Sequence, residues 1–176
     1  MVSVADVQKD LPGWPDEVIE EWLQYFANEP DLGWPPPEPL GQHRWNGILG
    51  GRPLSWWKEV TWKKETVTCE PARLSNKSRG IVMTMIGGIG KADAETRRRY
   101  QNALHYILDY GVFPGAIVAM KVPSGLTILD GSHRMGAFCG AQMMPDEFFE
   151  KRGKKRAALE QEIWIGSHSG GEVPLT

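Results

Sequence analysis

Apolar residues recur at helical spacing over residues 16–28 (DEVIEEWLQYFAN), where Val18, Ile19, Trp22, Leu23 and Phe26 share one face. Asp16, Glu17, Glu20 and Glu21 load the opening turns with negative charge, which suits the positive end of a helix dipole. The pattern breaks at EPDLGWPPPEPLGQ, where Pro35, Pro36 and Pro37 forbid helix and favour an extended polyproline path. This stretch marks a boundary between an N-terminal helical and Pro/Trp-rich extension, residues 1–50, and a main domain, residues 51–176. From Trp56 to Glu70 the period changes to two. Trp57, Glu59 and Thr61 alternate with Lys58, Val60 and Trp62, and Thr66 to Cys69 is rich in β-formers, so one or two strands are expected. A polar loop, RLSNKSRG (73–80), leads into the apolar run IVMTMIGGIGK (81–91), in which Gly87, Gly88 and Gly90 read as a flexible turn.

The clearest helix opens with Asp93 as its cap and closes at Gly111, with Tyr100, Ala103, Leu104, Ile107 and Leu108 on its apolar face. Strands are expected at 116–122 and 126–129, joined by a turn at Pro123, Ser124 and Gly125. A short helix follows from about His133, another covers 146–160, and QEIWIG (161–166) reads as a closing strand. The order is helix, strands, helix, hairpin, helix, strand. It predicts an α+β fold with a small mixed sheet flanked by helices.

At 176 residues the chain is long enough for one domain with a real core and short for two. A net charge of −2 gives no global pull toward nucleic acid, so any polyanion contact must come from a local patch. The patch suited to DNA is EKRGKKR, with Lys151, Arg152, Lys154, Lys155 and Arg156, although a short charge run is also what a solvated helix face looks like. Cys69 and Cys139 form neither a metal-ligand spacing nor a disulfide framework, which implies a reducing compartment. The opening residues lack the apolar segment of a targeting signal and no stretch reaches the length of a membrane span; a cytoplasmic protein with no membrane partner is expected. Seven of the eight tryptophans fall between positions 14 and 62. They read as anchors that tie irregular segments to the core; the sharper alternative is a platform for a base or a protein partner along the Trp/Pro-rich segment 30–62.

Two features raise the question of phosphate chemistry. GGIGKA looks like the end of a P-loop, but that motif needs glycine five positions before Gly90 and Ser or Thr after Lys91, where this chain has Met85 and Ala92. Arg97, Arg98 and Arg99 crowd the start of the long helix, where the dipole disfavours cations; they form a solvated, ion-paired face or reach an anionic ligand. The stronger feature is TILDGSHRMGAF, residues 127–138. A strand that ends in Asp-Gly and turns directly into a helix leaves the first helical amides unpaired, and with the dipole these make an anion site. Gly131 permits close backbone approach, Ser132 can cap or contact an oxygen, and His133 and Arg134 bring a titratable donor and a permanent cation. Asp130 can orient His133 or Arg134, or hold a divalent metal beside phosphates.

ILDGSHRMGAF resembles the signature of the ParB/sulfiredoxin superfamily, many of whose members carry an Asp-Gly-x-His-Arg turn between a strand and a helix. The similarity covers roughly residues 58–167 in organisation and is motif-specific over 126–141. The resemblance implies a ParB/sulfiredoxin-like fold that binds ATP or another NTP with Mg2+. Gly131, Ser132, His133 and Arg134 would contact phosphate, Asp130, His133 and Arg134 would be catalytic, and Asp130 would support the metal. Members of the superfamily include partition proteins that bind CTP and DNA, sulfiredoxins that use ATP, free-serine kinases, and plasmid-encoded proteins with ATPase and DNA-cleaving activity. The sulfiredoxin cysteine is replaced here by Ser132, which argues against sulfinic reductase chemistry. Partition proteins usually carry a Gly-Glu-Arg-Arg turn and a following DNA-binding domain; with Asp-Gly-Ser-His-Arg at the turn and an expected closing strand near position 166, a full partition protein is not expected. The expected function is a nucleotide phosphohydrolase or phosphotransferase (an ATPase), with DNA cleavage coupled or parallel. The alternatives are a non-catalytic plasmid- or phage-type effector that binds DNA or a protein, and a free-serine kinase using Glu65 or Glu70 as its acid.

Overall fold

In the computed structural model, which describes residues 1–170, α1 (Val4–Asp10) opens on a reciprocal cap between Ser3 and Asp6. α2 (Asp16–Val18), a π-helical stretch Ile19–Leu23 and α3 (Gln24–Ala27) then run on as one helical segment, where the apolar spacing predicted it. After a proline-rich loop come the short helices α4 (Trp45–Ile48) and α5 (Leu54–Trp57), followed by strand β1 (Val60–Thr68). The remainder comprises α6 (Asn76–Gly88), α7 (Ala94–Tyr110), β2 (Val118–Val122), β3 (Gly125–Asp130), α8 (Ser132–Gln142), α9 (Asp146–Glu150) and β4 (Glu160–His168).

The four strands form one mixed sheet in the order β1-β4-β2-β3. β1 and β4 pair antiparallel from Val60–His168 to Thr68–Glu160, β4 and β2 run parallel, and β2 and β3 form an antiparallel hairpin. Strand alternation sends side chains to two cores, one on each face. Ile117, Ala119, Ile163 and Ile165 face a core with α6, α7 and α8, built on Val82, Tyr100, Ile107 and Phe138. Val118 and Met120 face the other core, which residues from 7 to 57 build with Val7, Leu11, Ile19, Trp22, Trp45 and Trp57. Helices and loops thus cover both faces of the sheet.

The tryptophans anchor that second layer. Trp22 and Trp57 pack edge to face at 5.0 Å, as do Trp14 and Trp62, and Trp22, Trp45 and Trp57 are no more than 1% exposed. Their indole N–H groups fasten irregular backbone: Trp57 donates to Leu49 O and Arg52 O, and Trp45 to Gly33 O, all at 3.1 Å.

Two local expectations are corrected. RLSNKSRG is not a loop: its residues from Asn76 on form the first turns of α6, and Gly87 and Gly88 end that helix. Its two serines are buried because β3 satisfies them. Ser75 caps α6 and accepts a bond from Thr127 Oγ1 at 2.7 Å, while Ser78 Oγ accepts from the Ile128 amide at 2.9 Å. The helix expected over 146–160 ends at Glu150, because Gly153 takes a left-handed φ of 61° and the Lys154 amide turns back to Phe149 O.

Candidate active site

The site is built where β3 gives way to α8. Gly131 occupies the cap position with φ 106°, and no side chain caps the helix, so neither Asp130 nor Ser132 takes that role. The first backbone bond of α8 runs from Met135 N–H to Gly131 O at 2.9 Å, which places the amides of Ser132, His133 and Arg134 ahead of it. A methyl group on Gly131 would sit 2.5 Å from Ile117 Cδ1, so the turn is closed on its core side.

Across from this turn runs α7, whose N-cap is Asp93 as the sequence predicts, with the Thr96 amide donating to Asp93 Oδ1 at 2.9 Å. A cleft of about 480 Å³ lies between the two, lined by Gly131, His133 and Arg134 from one side and by Arg99, Asn102 and Tyr106 from the other. This volume lies within the range of small-molecule sites. Of Arg97, Arg98 and Arg99, it is Arg99 that lines the cleft. Its side chain is half exposed and pairs with Glu95 at 2.7 Å, a contact weak enough for a ligand to displace.

Arg134 is held more firmly and is 17% exposed. Its guanidinium donates to Asp130 Oδ2 at 2.6 Å, to Ala116 O at 2.9 Å, and faces Glu21 Oε2 at 3.4 Å. Asp130 therefore orients Arg134. Burial pushes the Asp130 carboxyl up to about 6 against the pull of Arg134, so this carboxylate takes a proton far more readily than an exposed one. Burial and the nearby charge of Arg99 push His133 below its ordinary value, so the imidazole is neutral at pH 7. The cleft thus holds a neutral imidazole, an exposed arginine paired with Glu95, a partly buried guanidinium and the Gly131 turn; Ser132 is not among its lining residues.

Among the described residues, no group of three or more His, Cys, Asp and Glu side chains is placed to hold a metal ion. Asp130 and Glu21 both face Arg134, so both carboxylates are already engaged by one guanidinium and the pair fits a resident divalent cation poorly. Cys69 and Cys139 are buried and their thiols are pushed up to about 12, so neither is a thiolate near neutrality.

The basic run lies apart from the cleft. Lys154 pairs with Asp109 at 2.6 Å, Arg152 lies over the Phe148 ring at 3.7 Å, and Arg156 is bound to Gln142 O, Met144 O and Asp146. Arg152 and Lys154 meet α7 at Leu104, His105, Leu108 and Asp109, none of which lines the cleft. Among the described residues Lys151 and Lys155 have no ion pair. Glu65 pairs with Lys121 and Glu70 with Arg73, and neither lines the cleft.

Sequence reasoning placed residues 130–134 at a strand-to-helix turn and missed three partners. Asn102 and Tyr106 follow Arg99 at helical spacing, three and seven residues on, which is a signal that could have found them. Glu21 carries none, since only the packing of the N-terminal layer brings it to Arg134. No protein-family model matches the chain, and no curated protein and no solved structure matches it either. No helix among the described residues is long and apolar enough to cross a membrane.

Proposed function

We propose that this chain is a ParB/sulfiredoxin-like nucleotide-binding protein whose cleft takes the phosphates of ATP or another NTP and hydrolyses it or transfers its phosphoryl group. The observation that carries this reading is that the start of α8 (Gly131, His133 and Arg134) and Arg99 line one cleft of nucleotide size. Helix-start amides and a displaceable arginine are suited to charge spread over phosphate oxygens, the electrostatic share of phosphoryl-transfer catalysis. Arg134 supplies a fixed cation that Asp130 keeps in place. Neutral His133 donates to a phosphate oxygen or accepts a proton from the attacking water or hydroxyl. Magnesium, on this reading, arrives as part of the nucleotide complex and is handled as substrate. DNA cleavage has less support, because three of the five cations in the basic run are engaged within the protein and none of the run lines the cleft.

The test is calorimetric titration of magnesium nucleotides into the full chain and into Arg99→Ala, with phosphate release measured in parallel. Arg99 is the cleaner target, because removing Arg134 would strand two carboxylates. A charge-assisted contact is worth about 1.5–3 kcal/mol, so Arg99→Ala should weaken binding roughly ten- to a hundredfold. No nucleotide binding by the wild type would sink the proposal.

A further inference from the structure

On the reading that the cleft takes a phosphorylated ligand, we infer that Tyr106 and Asn102 recognise the rest of that ligand, Tyr106 by stacking on an aromatic base and Asn102 by pairing with a base edge or ribose hydroxyl. The lining of the cleft is segregated. Arg99, His133, Arg134 and the α8 turn carry its charge, whereas Asn102, Ala103, Tyr106 and Pro114 are neutral. Arg99 and Tyr106 are seven residues apart on one side of α7, two turns and about 10 Å along its axis. That is the length scale that separates the base from the outer phosphates in a nucleoside di- or triphosphate.

Tyr106 is 38% exposed and lines the cleft beside the buried Ala103, so part of its ring is open to a ligand. Its ring packs against Tyr110, with centroids 4.5 Å apart and planes tilted by 47°, which limits the rotamers it must give up on binding. The Asn102 side chain has no hydrogen-bond partner among the described residues, and its amide offers both donors and an acceptor at the same cleft. A base is a sharper fit to this pair than a second phosphate or a bare sugar. A π-face stacks on tyrosine regardless of base identity, and the neutral lining has no cation for another anion.

The experiment compares ATP with inorganic tripolyphosphate, titrated into the full chain and into Tyr106→Ala and Tyr106→Phe. Base stacking on one aromatic changes affinity by roughly five- to a hundredfold on alanine substitution. The wild type should therefore bind ATP at least fivefold more tightly than tripolyphosphate. Tyr106→Ala should erase that preference while leaving tripolyphosphate affinity unchanged, and Tyr106→Phe should retain it. Equal wild-type affinity for the two ligands overturns the inference and leaves the phosphate reading standing, as does an equal loss for both ligands in Tyr106→Ala. Failure of both ligands to bind the wild type removes the phosphate reading and this inference together. Tyr106 lies outside both cores, so thermal melting should show the alanine variant folded.

Discussion

Replacing Asp130 with asparagine removes a titratable carboxyl whose environment sets it against its own charge. The side chain is 24% exposed and its carboxyl stands at about 6 against an ordinary 3.8, because burial outweighs the attraction of Arg134 and Glu21 adds a like charge. The folded state therefore holds this proton to a higher pH than the unfolded chain does. Between the two values the folded state binds more protons, so stability from this group is fully present below about 4 and is lost as pH rises through about 6. Two units at about 1.4 kcal/mol each give a total near 3 kcal/mol, of which roughly 2 kcal/mol falls between about pH 4 and pH 7.5. Urea unfolding of wild type and Asp130→Asn across that interval isolates the effect, since titrations common to both cancel in the difference. Wild-type stability relative to the variant should decline by roughly 2 kcal/mol as pH rises. A difference that stays flat, or that grows with pH, would refute the argument that burial dominates at this carboxyl.

Other predictions follow from the same geometry. Gly131→Ala forces a side chain into a left-handed backbone and onto Ile117 Cδ1, and should cost about 2–3 kcal/mol in thermal unfolding. Trp22→Ala empties the centre of the tryptophan layer and should cost about 3–5 kcal/mol by urea titration. Glu21→Gln relieves Arg134 of one competing carboxylate and should raise tripolyphosphate affinity a few-fold at low salt, an effect that fades as ionic strength rises.

The local order along the chain was legible wherever short-range physics decides it. The Asp93 cap, the Gly111 stop, the 118–130 hairpin and the turn into α8 each follow from residues within one or two turns of sequence. The failures share a cause, which is partnership at long range. Ser75 and Ser78 looked like loop residues because their acceptors and donors lie on β3, about fifty positions away in sequence. The helix over 146–160 was overextended because lysines and arginines favour helix, whereas a single left-handed glycine at 153 decides the path. At the site, the charges of Asp130 and Arg134 are legible in the sequence, which permits Asp130 to engage His133, Arg134 or a metal alike. The contribution of Glu21 was invisible, because it depends on how residues 16–27 pack over the sheet.

The central claim, that the cleft between the α8 turn and α7 receives nucleotide phosphates, is tested most directly by amide and arginine chemical-shift mapping with magnesium ATP. The account predicts saturable shifts at the amides of Gly131, Ser132, His133 and Arg134, with the Arg99 guanidinium and Asn102 amide moving in step. Saturable shifts confined to the basic run 151–156 or to the tryptophan layer, or no shifts at millimolar nucleotide, would contradict it.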